Sequence, residues 1–159
     1  MEKTGKPVML VAVDESKHSF YALEWTLDHF FVPGSTEHQF ELIIVHAQPV
    51  PTSILGLGGP GTADFVSALQ ADLKRSSNKT VEQAKELCNS KSMKDVKVEV
   101  MEGDARTVMC DAVVKHNASI LVLGSHGYGA VKRVVLGSVS DYCAHHAHCS
   151  VMIVKKPKQ

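Results

Sequence analysis

Glycine and serine recur in two short segments of the C-terminal half of the chain, in a pattern suited to binding an anion. Gly124–Gly129 reads GSHGYG and Gly137–Ser140 reads GSVS. Glycines let backbone N–H groups approach a ligand because no Cβ stands in the way. A helix that opens at Ser138, with Ser138 and Asp141 as a capping box, would add its positive dipole end and the Ser138 and Ser140 hydroxyls. Together these features predict a phosphate site, although a single glycine is equally typical of a turn.

Asp14 is the second candidate for binding chemistry, because it follows an apolar segment that reads as a buried strand. Open parallel sheets bind ligands outside the carboxyl ends of their strands, where adjacent crossovers diverge to opposite faces. A carboxylate there can accept hydrogen bonds from sugar hydroxyls, whereas nearby phosphates would repel it, so Asp14 belongs on the sugar side. Alternatively, Asp14 caps the helix that starts near Ser16.

Short apolar segments alternate with amphipathic ones along the chain, which predicts strands that alternate with helices. The expected strands are Val8–Val13, Phe40–Ala47, Val96–Met101, Ser119–Leu123 and Val151–Val154. The expected helices run from Ser16 to about Phe31, from Ala63 to about Cys88, from Asp104 to about His116 and from Ser138 to Ala147, with Ser16 and Asp104 as N-caps of the first and third. Helices between consecutive strands imply right-handed crossovers and a parallel sheet. We therefore expect one α/β domain over residues 1–159.

The composition excludes several classes of protein. The hydrophobic fraction of 44% and the charged fraction of 21% are ordinary for a globular domain and exclude wholesale disorder. Seventeen basic residues balance seventeen acidic ones, which argues against a nucleic-acid partner. No apolar stretch approaches the roughly 18 residues of a membrane span. Four cysteines without a C-x-x-C pair favour reduced thiols, so a cytoplasmic protein is expected.

The spacing G-x-x-G, nine residues, then G-S resembles the ATP-binding motif of the universal stress protein family. Three further segments are similar to that family: VAVDES (Val11–Ser16), IIVHA (Ile43–Ala47) and SVMIVKK (Ser150–Lys156). The similarity covers essentially the whole chain, in order, and is greatest to the small single-domain members of plants. It implies an open five-stranded parallel sheet of order 3-2-1-4-5 with helices on both faces, a Rossmann-like fold similar to the adenine nucleotide alpha hydrolases.

The resemblance also implies a set of ligand-binding residues and their roles. The matching positions are Ala12, Val13 and Ala47 beside the adenine, Asp14 at the nucleoside, Gly124 and Gly127 beside ribose and phosphates, and Gly137, Ser138, Val139 and Ser140 at the triphosphate. Because the phosphate motif shows no departure, the resemblance is to the ATP-binding branch, whose members hold ATP with a divalent cation such as Mg²⁺ or Mn²⁺.

These observations predict a nucleotide-dependent regulatory protein of the stress response rather than a rapid enzyme. No catalytic residue is predicted, because neither Asp14 nor His126 has an evident nucleophile partner. The lysine of a P-loop has no counterpart in position, the nearest basic residues being Lys132 and Arg133. A slow ATP hydrolase and a chaperone-like interaction protein with nucleotide as a secondary ligand stay open as alternatives.

Two further motifs match known binding patterns only in part. Gly56–Gly61 reads GLGGPG and matches a dinucleotide fingerprint, but prolines separate it from the preceding strand, so a flap beside the site or a plain loop is expected. Cys143–Cys149 contains two cysteines and three histidines in a spacing that fits no established zinc pattern. A helix end that carries histidines is the preferred interpretation there.

The last strand predicts a homodimer. In a 3-2-1-4-5 sheet the third and fifth strands form the edges, and the third alternates apolar and polar residues as a solvated edge should. Val151–Val154 is instead apolar at every position, an edge that natural proteins cover. Pairing of two copies across a two-fold axis would cover it. The alternative is that Met1–Lys6 or a neighbouring helix covers this edge within one chain.

Overall fold

The computed structural model describes residues 5–35, 37–51, 63–126 and 136–157. Its strands are β1 (Val8–Ala12), β2 (Glu41–Gln48), β3 (Lys97–Glu102), β4 (Ala118–Gly124) and β5 (Ser150–Val154). Its helices are α1 (Lys17–Phe30), α2 (Ala63–Ser90), α3 (Ala105–His116) and α4 (Ser138–His146). All strand pairs are parallel and the order is β3-β2-β1-β4-β5, which confirms the expected sheet.

The sheet is buried on both faces because its central strands carry apolar residues at consecutive positions. Along β1, Met9 and Val11 belong to one core cluster, which also holds α1 and α2 side chains such as Leu23 and Ala84. Leu10 belongs to the second cluster, which α3 and α4 complete on the opposite face. Because helices cover both faces of the sheet, the carboxyl ends of the strands stay open to a ligand.

Two predicted N-caps fix where the helices begin. The Ser16 side chain accepts a hydrogen bond from the Ser19 backbone N–H (3.1 Å) at the start of α1. The Asp104 side chain accepts one from the Thr107 N–H (3.4 Å) at the start of α3. Both helices thus start beside the carboxyl ends of the strands, since each follows a strand after a short turn.

Helix α2 departs in part from the amphipathic pattern expected of it. Its buried residues begin only at Ser77, and Phe65 near its start is 60% exposed. A helix of 28 residues is about 42 Å long, whereas strands of five to eight residues span roughly 17–27 Å. The first half of α2 therefore extends past the sheet. No helix within the described ranges is both long and apolar enough to cross a membrane.

The two edges of the sheet differ in the way the sequence predicts. On β3, the Glu99 side chain accepts a hydrogen bond from Lys115 Nζ (2.7 Å) and contacts His116 Nε2 (3.2 Å) and Lys97 Nζ (3.8 Å). Charges on an edge strand discourage pairing with a second chain. On β5, the residues Val151–Ile153 are partly exposed and no charged side chain interrupts them.

Candidate functional site

A cleft that is partly open to solvent lies at the carboxyl ends of β1 and β4. These two strands are neighbours in the sheet, but the helices that follow them in the chain pack on opposite faces, so the cleft occupies the switch point of the fold. Seven of the ten predicted site residues line it: Ala12, Val13, Asp14, Ala47, Gly124, Val139 and Ser140. Gly137 and Ser138 begin α4 beside it, and Gly127 lies outside the described residues.

One wall of the cleft is apolar and made of small side chains. Ala12 and Ala47 come from the strands, whereas Ala105 and Met109 come from the first turns of α3. A flat aromatic ring fits such a surface, since ligand pockets are lined mostly by apolar groups with a few placed polar ones. Ala105 and Met109 were not among the predicted site residues. The predicted start of this helix at Asp104 could have indicated them, because it places the first turn of α3 at the carboxyl ends of the strands.

The Asp14 carboxylate does not cap α1, but it contacts the turn that leads into this helix. Its Oδ1 accepts a hydrogen bond from the Ser16 backbone N–H (2.7 Å), which holds the turn that leads into α1. The residue is also partly exposed and lines the cleft. The N-cap itself is Ser16 rather than Asp14. This hydrogen bond fixes the direction of the carboxylate, so its position in the cleft is preorganised.

Gly124 is required by packing at the top of β4. A Cβ added there would lie 2.7 Å from the His18 carbonyl oxygen, 2.8 Å from the His18 carbonyl carbon and 3.0 Å from the Ser19 backbone nitrogen. All three are backbone atoms of the first turn of α1, which cannot rotate away as a side chain can. The absence of a side chain at Gly124 therefore brings α1 close to β4 and shapes this corner of the cleft.

The start of α4 differs from the predicted capping box. Gly137 is the N-cap, with extended backbone (φ −69°, ψ 165°) and no side-chain hydrogen bond, and Ser138 is the first helical residue. The box is wrong because the Gly137 N–H donates to the Ser125 carbonyl oxygen (2.7 Å), which fixes the start of the helix one residue earlier. The first N–H groups of a helix have no partner within it, and no side chain of the described residues caps those of α4.

The hydroxyl of Ser140 is also engaged differently from the prediction that it donates to a phosphate. It is buried and donates to the Ser125 carbonyl oxygen (3.0 Å), with the Gly137 carbonyl at 3.3 Å. The Ser125 N–H in turn donates to the Val154 carbonyl oxygen (3.2 Å). Ser125, to which the sequence analysis gave no role, thus connects the ends of β4 and β5 to the first turn of α4.

Two histidines meet beside the cleft. The rings of His18 and His126 are in edge contact, with centroids 5.1 Å apart, and His126 lines the cleft. The Nδ1 atoms of both rings are buried without a hydrogen-bond partner in the described part of the chain. Burial lowers the pKa of His18, and the charges of His126 and Lys156 lower it further against the opposing effect of Asp14. The neutral ring of His18 is therefore favoured.

Several sequence motifs fall outside the site as described. The GLGGPG segment, Lys132 and Arg133 lie outside the described residues. Near the C-terminus, the exposed ring of His146 stacks on Tyr142 with centroids 4.1 Å apart. Within the four described ranges, no group of three histidine, cysteine or acidic side chains could hold a metal ion. The four cysteines are free thiols.

Comparison with known proteins gives consistent matches. The sequence matches the Universal stress protein family over residues 7–155. Universal stress protein PHOS34 from Arabidopsis thaliana is 33% identical over 92% of this chain and 61% of the relative. Universal stress protein YxiE from Bacillus subtilis is 30% identical over 92% of this chain and 97% of the relative. The chain spans 61% and 64% of the lengths of two Arabidopsis relatives, PHOS34 and PHOS32.

Solved structures share the fold. Universal stress protein UspA from Lactobacillus plantarum superposes with a TM-score of 0.77 at 21% identity, over 96% of this chain and 99% of that one. A family member from Arabidopsis thaliana with AMP bound has a TM-score of 0.64 at 21% identity, over 95% and 92%. A universal stress protein in complex with cAMP has a TM-score of 0.60 at 19% identity, over 94% and 97%. With a family match that spans almost its whole length, the chain belongs to the universal stress protein family.

Proposed function

We propose that the cleft binds an adenine nucleotide, ATP with a divalent cation, and that occupancy regulates the protein in a stress response. The observation that carries the proposal is the cleft itself, at the switch point of the sheet, with an apolar wall on one side and Asp14 beside it. Related structures contain AMP or cAMP, which supports the adenine base.

The phosphates would meet the first turn of α4. Helix N-termini attract anions because their N–H groups are free and the dipole is positive there. The absence of a side-chain cap at Gly137 leaves those donors available to a ligand. Ser138 is exposed and can add its hydroxyl, whereas the hydroxyl hydrogen of Ser140 is used within the protein.

A divalent cation fits this site through the nucleotide rather than through a protein cage. The described residues offer no group of three ligating side chains. Mg²⁺ commonly keeps several waters and is held largely by phosphate oxygens, so such a cage is not required. The cation would supply neutralisation of the triphosphate charge.

Binding of ATP and of inorganic triphosphate to the wild type and to Asp14→Ala tests the assignment. Calorimetry should show weaker ATP binding by the variant and unchanged triphosphate binding, because the carboxylate lies on the sugar side. Equal losses for both ligands would contradict that placement. Native mass spectrometry of the purified protein provides the direct control: retained ATP supports the proposal, whereas ADP with steady turnover would assign hydrolysis instead.

We further propose a homodimer in which β5 pairs with β5 of a second copy. The partly exposed apolar residues Val151–Ile153 favour this edge, and the charged contacts of Glu99 disfavour pairing through β3. Sedimentation at micromolar concentration should give a dimer. Ile153→Pro should weaken it, because proline donates no ladder hydrogen bond. A monomeric wild type in the presence of ATP would refute the dimer.

A further inference from the structure

His46 is a buried histidine on β2 that touches two other elements. The residue is 5% exposed. Nδ1 lies 2.8 Å from the Val13 carbonyl oxygen, and Nε2 lies 3.0 Å from the Ser77 hydroxyl on α2. Because a carbonyl oxygen only accepts, Nδ1 must carry the hydrogen, and in the neutral ring Nε2 then accepts from Ser77. One side chain thus connects β2, the end of β1 and α2.

The contact with Val13 acts on the peptide that leads into Asp14. The carbonyl of Val13 and the N–H of Asp14 belong to one planar unit, and they point in opposite directions. His46 donates to the carbonyl, while the Asp14 N–H donates to the Ser19 hydroxyl oxygen (3.0 Å). The Val13 N–H donates to the Val45 carbonyl oxygen (3.0 Å). This peptide is therefore held from both sides, by β2 and by α1.

We propose that His46 is a positioning residue for the nucleotide site: it fixes the Val13–Asp14 peptide, and with it the Asp14 carboxylate and the base-side wall. His46 itself does not line the cleft. Its contact with Ser77 makes this positioning depend on α2, because the Ser77 hydroxyl stabilises the tautomer that donates to Val13. The inference rests on the proposed function, since its effect is measured on nucleotide binding.

A matched pair of substitutions separates positioning from packing. In His46→Asn, the amide nitrogen occupies the place of Nδ1 and can still donate to the Val13 carbonyl oxygen. In His46→Leu, the side chain has nearly the same shape as asparagine but no donor. Both lose the contact with Ser77. Ser77→Ala removes only the contact with α2, and Thr80→Ala is its control, since Thr80 is equally buried but bonds the Ser76 carbonyl of its own helix.

Calorimetry on the full chain measures the affinity of each variant for ATP and for inorganic triphosphate. His46→Leu should weaken ATP binding about tenfold, the size expected from loss of one well-placed hydrogen bond, and leave triphosphate binding unchanged. His46→Asn should stay within about threefold of wild type, a loss of less than half that free energy. Ser77→Ala should weaken ATP binding more than Thr80→Ala does. Equal ATP affinities for the Asn and Leu variants would overturn the inference.

Two readouts on the nucleotide-free protein are independent of ligand. Nitrogen NMR should show His46 protonated at Nδ1 and unprotonated at Nε2, and exchange of the Asp14 amide should accelerate in His46→Leu but not in His46→Asn. The opposite tautomer, or equal exchange in both variants, contradicts the positioning role. If wild type binds no ATP, the proposed function fails, and these readouts still decide whether His46 holds the peptide.

Discussion

Replacement of Gly124 by alanine adds one carbon against the backbone of the first turn of α1, beside the cleft. The new Cβ would lie 2.7 Å from the His18 carbonyl oxygen, against an ordinary contact distance of at least 3.4 Å. The first turn of α1 must therefore move by about 0.7 Å or the end of β4 must bend. The clash involves only protein atoms, so it is present with or without a nucleotide.

The magnitude follows from two opposing effects. Overpacking of this kind costs about 1–3 kcal/mol. Replacing glycine by alanine restricts the unfolded chain and offsets about 0.4–1 kcal/mol of that cost. From the middle of both ranges, the clash exceeds the offset and the net loss is about 1.3 kcal/mol. For a chain of 159 residues each kcal/mol shifts Tm by about 2–4 °C, so Gly124→Ala should melt about 3–5 °C below wild type.

Thermal unfolding of the nucleotide-free proteins at one fixed concentration is the assay, because a bound ligand or a dimer would itself shift Tm. A glycine kept only for close approach of phosphates predicts a different result, namely an unchanged Tm with lost ATP affinity. A nucleotide-free Gly124→Ala protein that melts at or above the wild-type temperature would refute the packing argument.

Gly137→Val should abolish ATP binding in a protein that still folds, because the backbone at Gly137 suits any residue while the new side chain would crowd the phosphates. Calorimetry measures this, and an unchanged ATP affinity would exclude the site. Burial of Glu99 is the largest influence on its pKa and raises it, but Lys115, His116 and Lys97 together lower it. Glu99→Gln should therefore cost about 1 kcal/mol at pH 7. Urea unfolding should find this difference shrinking as the pH falls below about 4.5, the ordinary pKa of the group, and lost once the pH passes the lowered pKa of Glu99 in the folded protein. The pKa of His18 is lowered, so wild type should lose stability as the pH falls below about 6.5 and His18→Gln should lose less; identical pH profiles would count against the burial of that ring.

Much of the fold could be predicted because local and long-range requirements agree. Met9–Ala12 is buried throughout and reads as continuously apolar, and Ser16 and Asp104 cap the helices that they were expected to cap. The alternation of apolar and polar residues in the third strand predicted an edge of the sheet, and β3 lies at one edge. In each case the residues that determine the element lie within it or next to it, so a pattern in the sequence suffices.

The parts that could not be predicted depend on contacts between distant segments. The start of α4 is set by the Ser125 carbonyl oxygen, which accepts from Gly137 and Ser140 across more than ten positions of sequence. No local capping rule contains that acceptor, so Ser138 was assigned the cap. Met109 enters the cleft for a similar reason, because only the crossover that returns α3 to the sheet brings its side chain beside Ala12.

The same groups hold the protein together and face the ligand, which limits what a motif alone reveals. Gly124 is a motif glycine, yet the contact that excludes a side chain there is with α1. Asp14 lines the cleft while one carboxylate oxygen holds the turn before α1. Ser140 lines it while its hydroxyl bonds to Ser125. Loss of binding in a variant of any of these residues is therefore ambiguous until the stability of the nucleotide-free protein is known. The Asn and Leu variants of His46 reduce this ambiguity, because His46 does not line the cleft and because the two variants differ in the donor to Val13 and hardly at all in shape.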